Sequence, residues 1–165
     1  MENISALMYN NGIEALFVGL TAAIIAQIIK FFLHLIVHRK VDFRVFTTTG
    51  GMPSSHSAGM MGLAVSVGII AGFDSLYFAV AAGNALVVMY DAAGIRRASG
   101  KMAVCLNKMM DDFYNHDTAA IGTKLKELLG HTPLEVFGGA VLGIAYAYFV
   151  HYYLLVGSVL MIYKM

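Results

Sequence analysis

The chain predicts an all-α fold: an integral membrane helical bundle of four spans, with amphipathic helices at the interface. Two observations carry this. The 165 residues are 59% hydrophobic and only 13% charged, with a mean hydropathy of +0.72, too apolar for an ordinary water-soluble domain. The apolar residues are also gathered into four long runs, separated by segments that hold most of the charge. Length sets one domain over residues 1–165. A net charge of +1 gives no nucleic-acid footprint. The single cysteine, Cys105, excludes an internal disulfide and a cysteine-rich metal site. Met1-Glu2-Asn3 lacks a basic start, so no cleavable signal peptide is expected.

The first span covers Ile13 to Val37, long enough to cross a bilayer. It carries Gln27, Lys30 and His34, with His38 just beyond; steps of three, four and four put these on one helix face. A lysine among apolar residues is either a site residue or snorkels to the basic helix end. The basic linker His38 to Arg44 and Thr47-Thr48-Thr49 follow. The second span runs from about His56 to Ala71 and the third from about Leu76 to Tyr90, both with small residues that allow close helix packing. Asp91 to Lys101 breaks the hydrophobicity, and Asp91, Arg96 and Arg97 read as interface anchors or site residues. From Met102 to about Phe113 the spacing predicts an amphipathic helix lying on the membrane or on the bundle. Asp111, Asp112, His116 and Asp117 show no ligand spacing and read as a solvated loop. Thr118 to Leu129 predicts a short interfacial helix. The fourth span starts near Pro133 and reaches about His151, with Gly139-x-x-x-Gly143 as a packing face. Tyr146, Tyr148, Tyr152 and Tyr153 suggest an aromatic belt. Leu154 to Tyr163 is short for a span and reads as an extension or tail, with a short fifth crossing as the alternative.

Chemistry concentrates in two places. In Gly50-Gly51-Met52-Pro53-Ser54-Ser55-His56-Ser57-Ala58, glycines and a proline form a turn, and hydroxyls and an imidazole follow at a helix start. A helix N-terminus offers unpaired N–H groups and a positive dipole end, which suit an anion such as phosphate. In Gly130 to Gly139, Gly130 can end one helix and Pro133 can begin the next. There His131 and Glu135 stand four apart, close enough for a carboxylate to hold an imidazole.

The combination resembles the type 2 phosphatidic acid phosphatase and vanadium-haloperoxidase superfamily, and more closely its divergent membrane branch. Pro53-Ser54-Ser55-His56 is similar to that superfamily's Pro-Ser-Gly-His motif. His131 to Glu135 is similar to its His-x-x-x-Asp, with glutamate for aspartate. Asp91-x-x-Gly94-x-Arg96-Arg97 and Gly130-His131-Thr132-Pro133-x-Glu135-Val136 resemble the divergent branch. The first motif's arginine position holds Val37, so Lys30 would act with Arg44 or Arg39. The third motif's arginine position holds Leu125, so Arg96 or Arg97 would serve.

The resemblance implies a metal-independent membrane phosphatase, without a cofactor, acting on lipid phosphate or pyrophosphate esters through a phosphohistidine. In it His131 is the nucleophile, held by Glu135, and His56 is the general acid. Lys30, Arg44, Ser54, Ser55, Arg96 and Arg97 surround the phosphate. The alternative is a lipid-phosphate-binding or transport protein without turnover. Lipid phosphate and membrane lipids are the expected partners, with oligomerisation open.

Charge distribution predicts orientation. Of 11 Lys and Arg residues, three lie between the first and second spans and six between the third and fourth. The positive-inside rule then puts both connections and the site in the cytoplasm and the N-terminus outside.

Overall fold

The computed structural model describes residues 8–46, 50–114 and 130–156. Helix α1 spans Gly12–His38, with Asn11 capping the N–H groups of Ile13 and Glu14 and left-handed Arg39 ending it. A 3-10 turn at Phe43–Phe46 follows. Helix α2 is Ser55–Ala71, capped by Ser54 and closed by Gly72 at φ 94°, a conformation that glycine adopts without strain. Helix α3 is Leu76–Ala93, capped by Ser75, and α4 is Ile95–Tyr114. Helix α5 is Pro133–Phe149, and a π-helical segment, Val150–Val156, extends it. No strand occurs among the described residues.

Three helical stretches are long and apolar enough to cross a membrane: α1, the stretch that contains α3, and Pro133–Tyr153. The shorter α2 reaches about 25 Å at 1.5 Å per residue. It is the centre of the bundle, packed against α1, α3 and α5.

Small residues build the contacts. Added side-chain carbons would meet the Ala58 carbonyl at Gly143 and the Ser54 carbonyl at Gly139. At Gly59, such a carbon would lie 3.1 Å from the Gly19 carbonyl. The Gly139/Gly143 face is therefore a packing seam, as its spacing predicts. The core holds mainly alanine and valine, among them Val18, Ala22, Ala58, Ala85 and Ala147. Leu20, Ile24, Leu76, Val87 and Phe137 point outward, the polarity expected of a lipid-facing surface.

One polar tie crosses the bundle near the start of α1. The fully buried Glu14 accepts a hydrogen bond from His151 Nδ1 at 2.7 Å, and its other oxygen accepts the Asn10 N–H at 2.8 Å. Tyr9 stacks on the His151 ring at 5.7 Å.

The structure adjusts three expectations. The charged segment after Asp91 is helical: only Gly94 separates α3 from α4, so Arg96 and Arg97 lie in the first turn of a helix. Tyr148, Tyr152 and Tyr153 are exposed, but Tyr146 packs on the Val18–Val65–Ala147–Val150 cluster and leaves the belt. The extension after Phe149 is helical through Val156. The expected helix Thr118–Leu129, His116 and Asp117, and the tail beyond Val156 lie outside the described residues.

Candidate active site

The two motif-bearing turns meet because both open helices at the same end of the bundle. The Ser54 N–H donates to the Glu135 carbonyl at 3.0 Å, joining the α2 cap to the first turn of α5. Ser54 is fully buried and its hydroxyl accepts the Ser57 N–H, so its role in the fold is a helix cap. Ser55 is buried in the first turn of α2.

Glu135 is the hub. Thr132 and Glu135 form a reciprocal capping box, with the Glu135 N–H on the Thr132 hydroxyl at 3.3 Å. The Glu135 Oε2 accepts the Thr132 N–H at 3.2 Å and the Gly51 N–H at 3.2 Å. The same oxygen takes a hydrogen bond from His131 Nδ1 at 3.0 Å. A carboxylate can only accept, so Nδ1 carries the proton and Nε2 keeps its lone pair. The His131 Nε2 is buried and has no hydrogen-bond partner among the described residues. Burial holds the His131 imidazole below its usual pKa, against the opposing pull of its Glu135 hydrogen bond. The His131 backbone is fixed as well, its N–H donating to the Ala92 carbonyl at 3.1 Å.

His56 stands edge-to-face with His131, ring centroids 6.0 Å apart. It is exposed, whereas His131 is buried. Two imidazoles of different access thus share one site.

The cations divide. Lys30 is buried, its stem lying across Gly51, where an added carbon would come within 3.3 Å of it. Gly51 also has φ +87°, so both its angle and its space favour glycine. Glu135 supplies countercharge to Lys30. Arg97 and Lys30 line one cavity of about 680 Å³ with Gly51, Met52, Thr132 and Glu135. Arg96 instead pairs with Asp91 at 2.8 Å, both partly exposed, although its charge reaches His56 and His131. Arg44 sits exposed on the 3-10 turn, its N–H on the Asp42 carboxylate at 2.9 Å, and is not among the cavity's lining residues.

Two contacts escape a reading of the sequence. Gly130 lets the His131 turn rest on the backbone of Arg96 and Arg97, where any side chain would collide. The Gly51 N–H reaches Glu135 across 84 residues. His34 and His38 also line the cavity, their rings stacked at 4.2 Å, as the shared face on α1 predicts. The arrangement joins a lone-pair nitrogen, a second imidazole, a lysine and an arginine to two helix N-termini. Such a set can bind an anion and move a proton beside it.

The Divergent PAP2 family model matches residues 11–146, a stretch that contains every residue of this site. The uncharacterized membrane protein YuiD of Bacillus subtilis (strain 168) is 45% identical over 136 residues, covering 76% of this chain and 86% of the relative. No solved structure matches the chain significantly. The chain belongs to the Divergent PAP2 family and is a membrane protein.

Proposed function

We propose that the protein is a membrane phosphatase that hydrolyses lipid phosphate or pyrophosphate esters through a phosphohistidine. One observation carries this reading. Glu135 holds the His131 Nδ1 proton, which leaves a buried, unpartnered Nε2 beside a second imidazole. Family membership supports it.

In the proposed reaction, His131 Nε2 attacks phosphorus, and the bond from phosphorus to the leaving oxygen breaks. His56 gives that oxygen its proton. Glu135 steadies the imidazolium that forms on His131. Lys30, Arg97 and the N–H groups of the first turn of α2 balance the charge on the phosphoryl oxygens. Water then attacks the phosphohistidine and passes a proton to His56; the P–N bond breaks and phosphate leaves. Neither His56 nor His131 lines the cavity itself; Arg97 is taken as the clamp because it lines the cavity beside Lys30 and Glu135, while Arg96, whose charge reaches both histidines, is held by Asp91. The leaflet is assigned by charge: both basic connections, and with them the site, face the cytoplasm.

The test is a phosphate-release screen of purified protein over a panel of lipid phosphates and pyrophosphates, with and without a chelator. Release that survives chelation and is inhibited by vanadate supports the reading. No release from any lipid, with binding retained, would overturn it in favour of a binding or transport protein.

A further inference from the structure

Helix α4 is inside out. Ile95, Met102, Leu106 and Met109 recur at steps of seven, four and three, forming one stripe. Every member of that stripe is about half exposed or more. The opposite side carries Gly100 and Asn107, which are buried, Asn107 being only 3% exposed. A helix resting on a protein in water would bury the stripe and expose the asparagine. About a third of a turn around the helix from the stripe, Arg97, Lys101 and Lys108 fall on one row at steps of four and seven. That row covers about 16 Å of helix and ends at Arg97, which lines the cavity. No acidic residue occurs between Ile95 and Met110. An exposed apolar stripe flanked by a cationic row, joined through Gly94 to the end of α3, is complementary to an anionic leaflet.

We propose that α4 lies in the headgroup layer of the bilayer, with its apolar stripe among the acyl chains. Its Lys108–Lys101–Arg97 row collects anionic phospholipid headgroups and leads them to the cavity. The second half rests on the phosphatase reading; the first does not. Lysine stems lie along the apolar surface with their ammonium groups at the phosphates. Each lysine near the surface should enrich an anionic lipid about fivefold at low salt, and screening should erase the effect.

Cys105, exposed at the edge of the stripe, is the only cysteine of the chain and a natural probe position. The full chain, labelled there with an environment-sensitive fluorophore, is placed in nanodiscs of phosphatidylcholine containing some phosphatidylglycerol. The expected result is quenching by a chain-brominated lipid and shielding from aqueous iodide. A label at Lys108→Cys, in a Cys105→Ser background, should show the reverse. Headgroup-labelled phosphatidylglycerol should gather near α4 severalfold over labelled phosphatidylcholine, and Lys101→Gln/Lys108→Gln, which leaves only Arg97 of the row, should remove most of that preference. In the same double variant, KM for a bilayer-embedded lipid phosphate should rise severalfold. The kcat for a short-chain soluble phosphate should not change. Iodide access at Cys105 would overturn the proposal, as would shielding from both quenchers, which would mean that another protein copy covers the stripe. So would an unchanged lipid preference in the double variant. The quenching arms need no turnover, so an inactive protein would overturn the phosphatase reading while leaving the placement of α4 testable.

Discussion

Replacing Glu135 by glutamine separates what its charge does from what its shape does. Three donors converge on one oxygen: His131 Nδ1 at 3.0 Å and the N–H groups of Thr132 and Gly51 at 3.2 Å each. Only the carboxamide oxygen can face three donors, so Glu135→Gln keeps the ring tautomer and loses the charge. A hydrogen bond to a charged group contributes about 1 kcal/mol more than its neutral counterpart. Three such bonds sum to about 3 kcal/mol, but they share one atom and Glu135 is partly exposed. The expected loss of stability is therefore about 2 kcal/mol. Glu135→Ala removes the acceptor itself and half of the capping box, and should cost about 4 kcal/mol. For turnover, the forming imidazolium loses one charge-assisted bond in the glutamine variant, a fall of roughly tenfold. The alanine variant, with the ring free to turn, should fall by about a thousandfold.

The pH profile gives the sign. Catalysis needs His131 neutral, and burial already holds its pKa below the ordinary value of 6.5. Activity should rise with pH along an acid limb that lies below that value. Glu135 pulls the pKa upward through its hydrogen bond and its charge, so Glu135→Gln should move the limb to still lower pH. Hydrolysis of a short-chain lipid phosphate in detergent, followed across pH beside thermal unfolding, reads all three effects. Wild-type activity with an unmoved acid limb in Glu135→Gln would refute the hub.

Arg97→Lys should cost roughly tenfold in kcat/KM because the planar fork is lost, whereas Arg96→Lys should cost much less; equal effects would contradict the division seen here. Gly139→Ala should destabilise by about 2 kcal/mol, since its new carbon meets the Ser54 carbonyl and lies 2.9 Å from Ser57 Cβ. Gly83→Ala, with open space around it, should not destabilise, and the two melting temperatures compare them directly. Glu14→Ala should lower stability by about 3 kcal/mol, because it strips a buried partner from His151. It should leave turnover intact at low temperature, since Lys30 lies about 24 Å further along α1. An impermeant thiol reagent on intact cells should not label Lys108→Cys in a Cys105→Ser background; labelling without permeabilisation would place the site outside.

The parts of this architecture set by local spacing were legible in the sequence. Lys30, His34 and His38 share a helix face, and His131 and Glu135 stand one turn apart, so both groupings could be read from intervals of four. The serines after Pro53, and Pro133 itself, marked helix starts from local sequence too. What required the folded chain was long-range. The Glu135 carboxylate serves Gly51, 84 residues away, and Glu14 meets His151, 137 residues away. Arg96 and Arg97 are adjacent and chemically alike, and only the turn of α4 decides which one lines the cavity. The charge between Asp91 and Lys101 marked the end of the apolar run, but not that the helix resumes after a single glycine.

The most direct measurement is capture of the covalent intermediate. Purified protein is mixed with a lipid phosphate carrying a radioactive phosphoryl group, quenched in base, and separated by electrophoresis. The account predicts a label that is stable to base and labile to acid, the signature of a phosphohistidine. It should be lost in His131→Ala and should accumulate in His56→Ala when the leaving group is a good one. A label that persists in His131→Ala, or phosphate release at the wild-type rate from that variant, would contradict the assignment of His131 as the nucleophile.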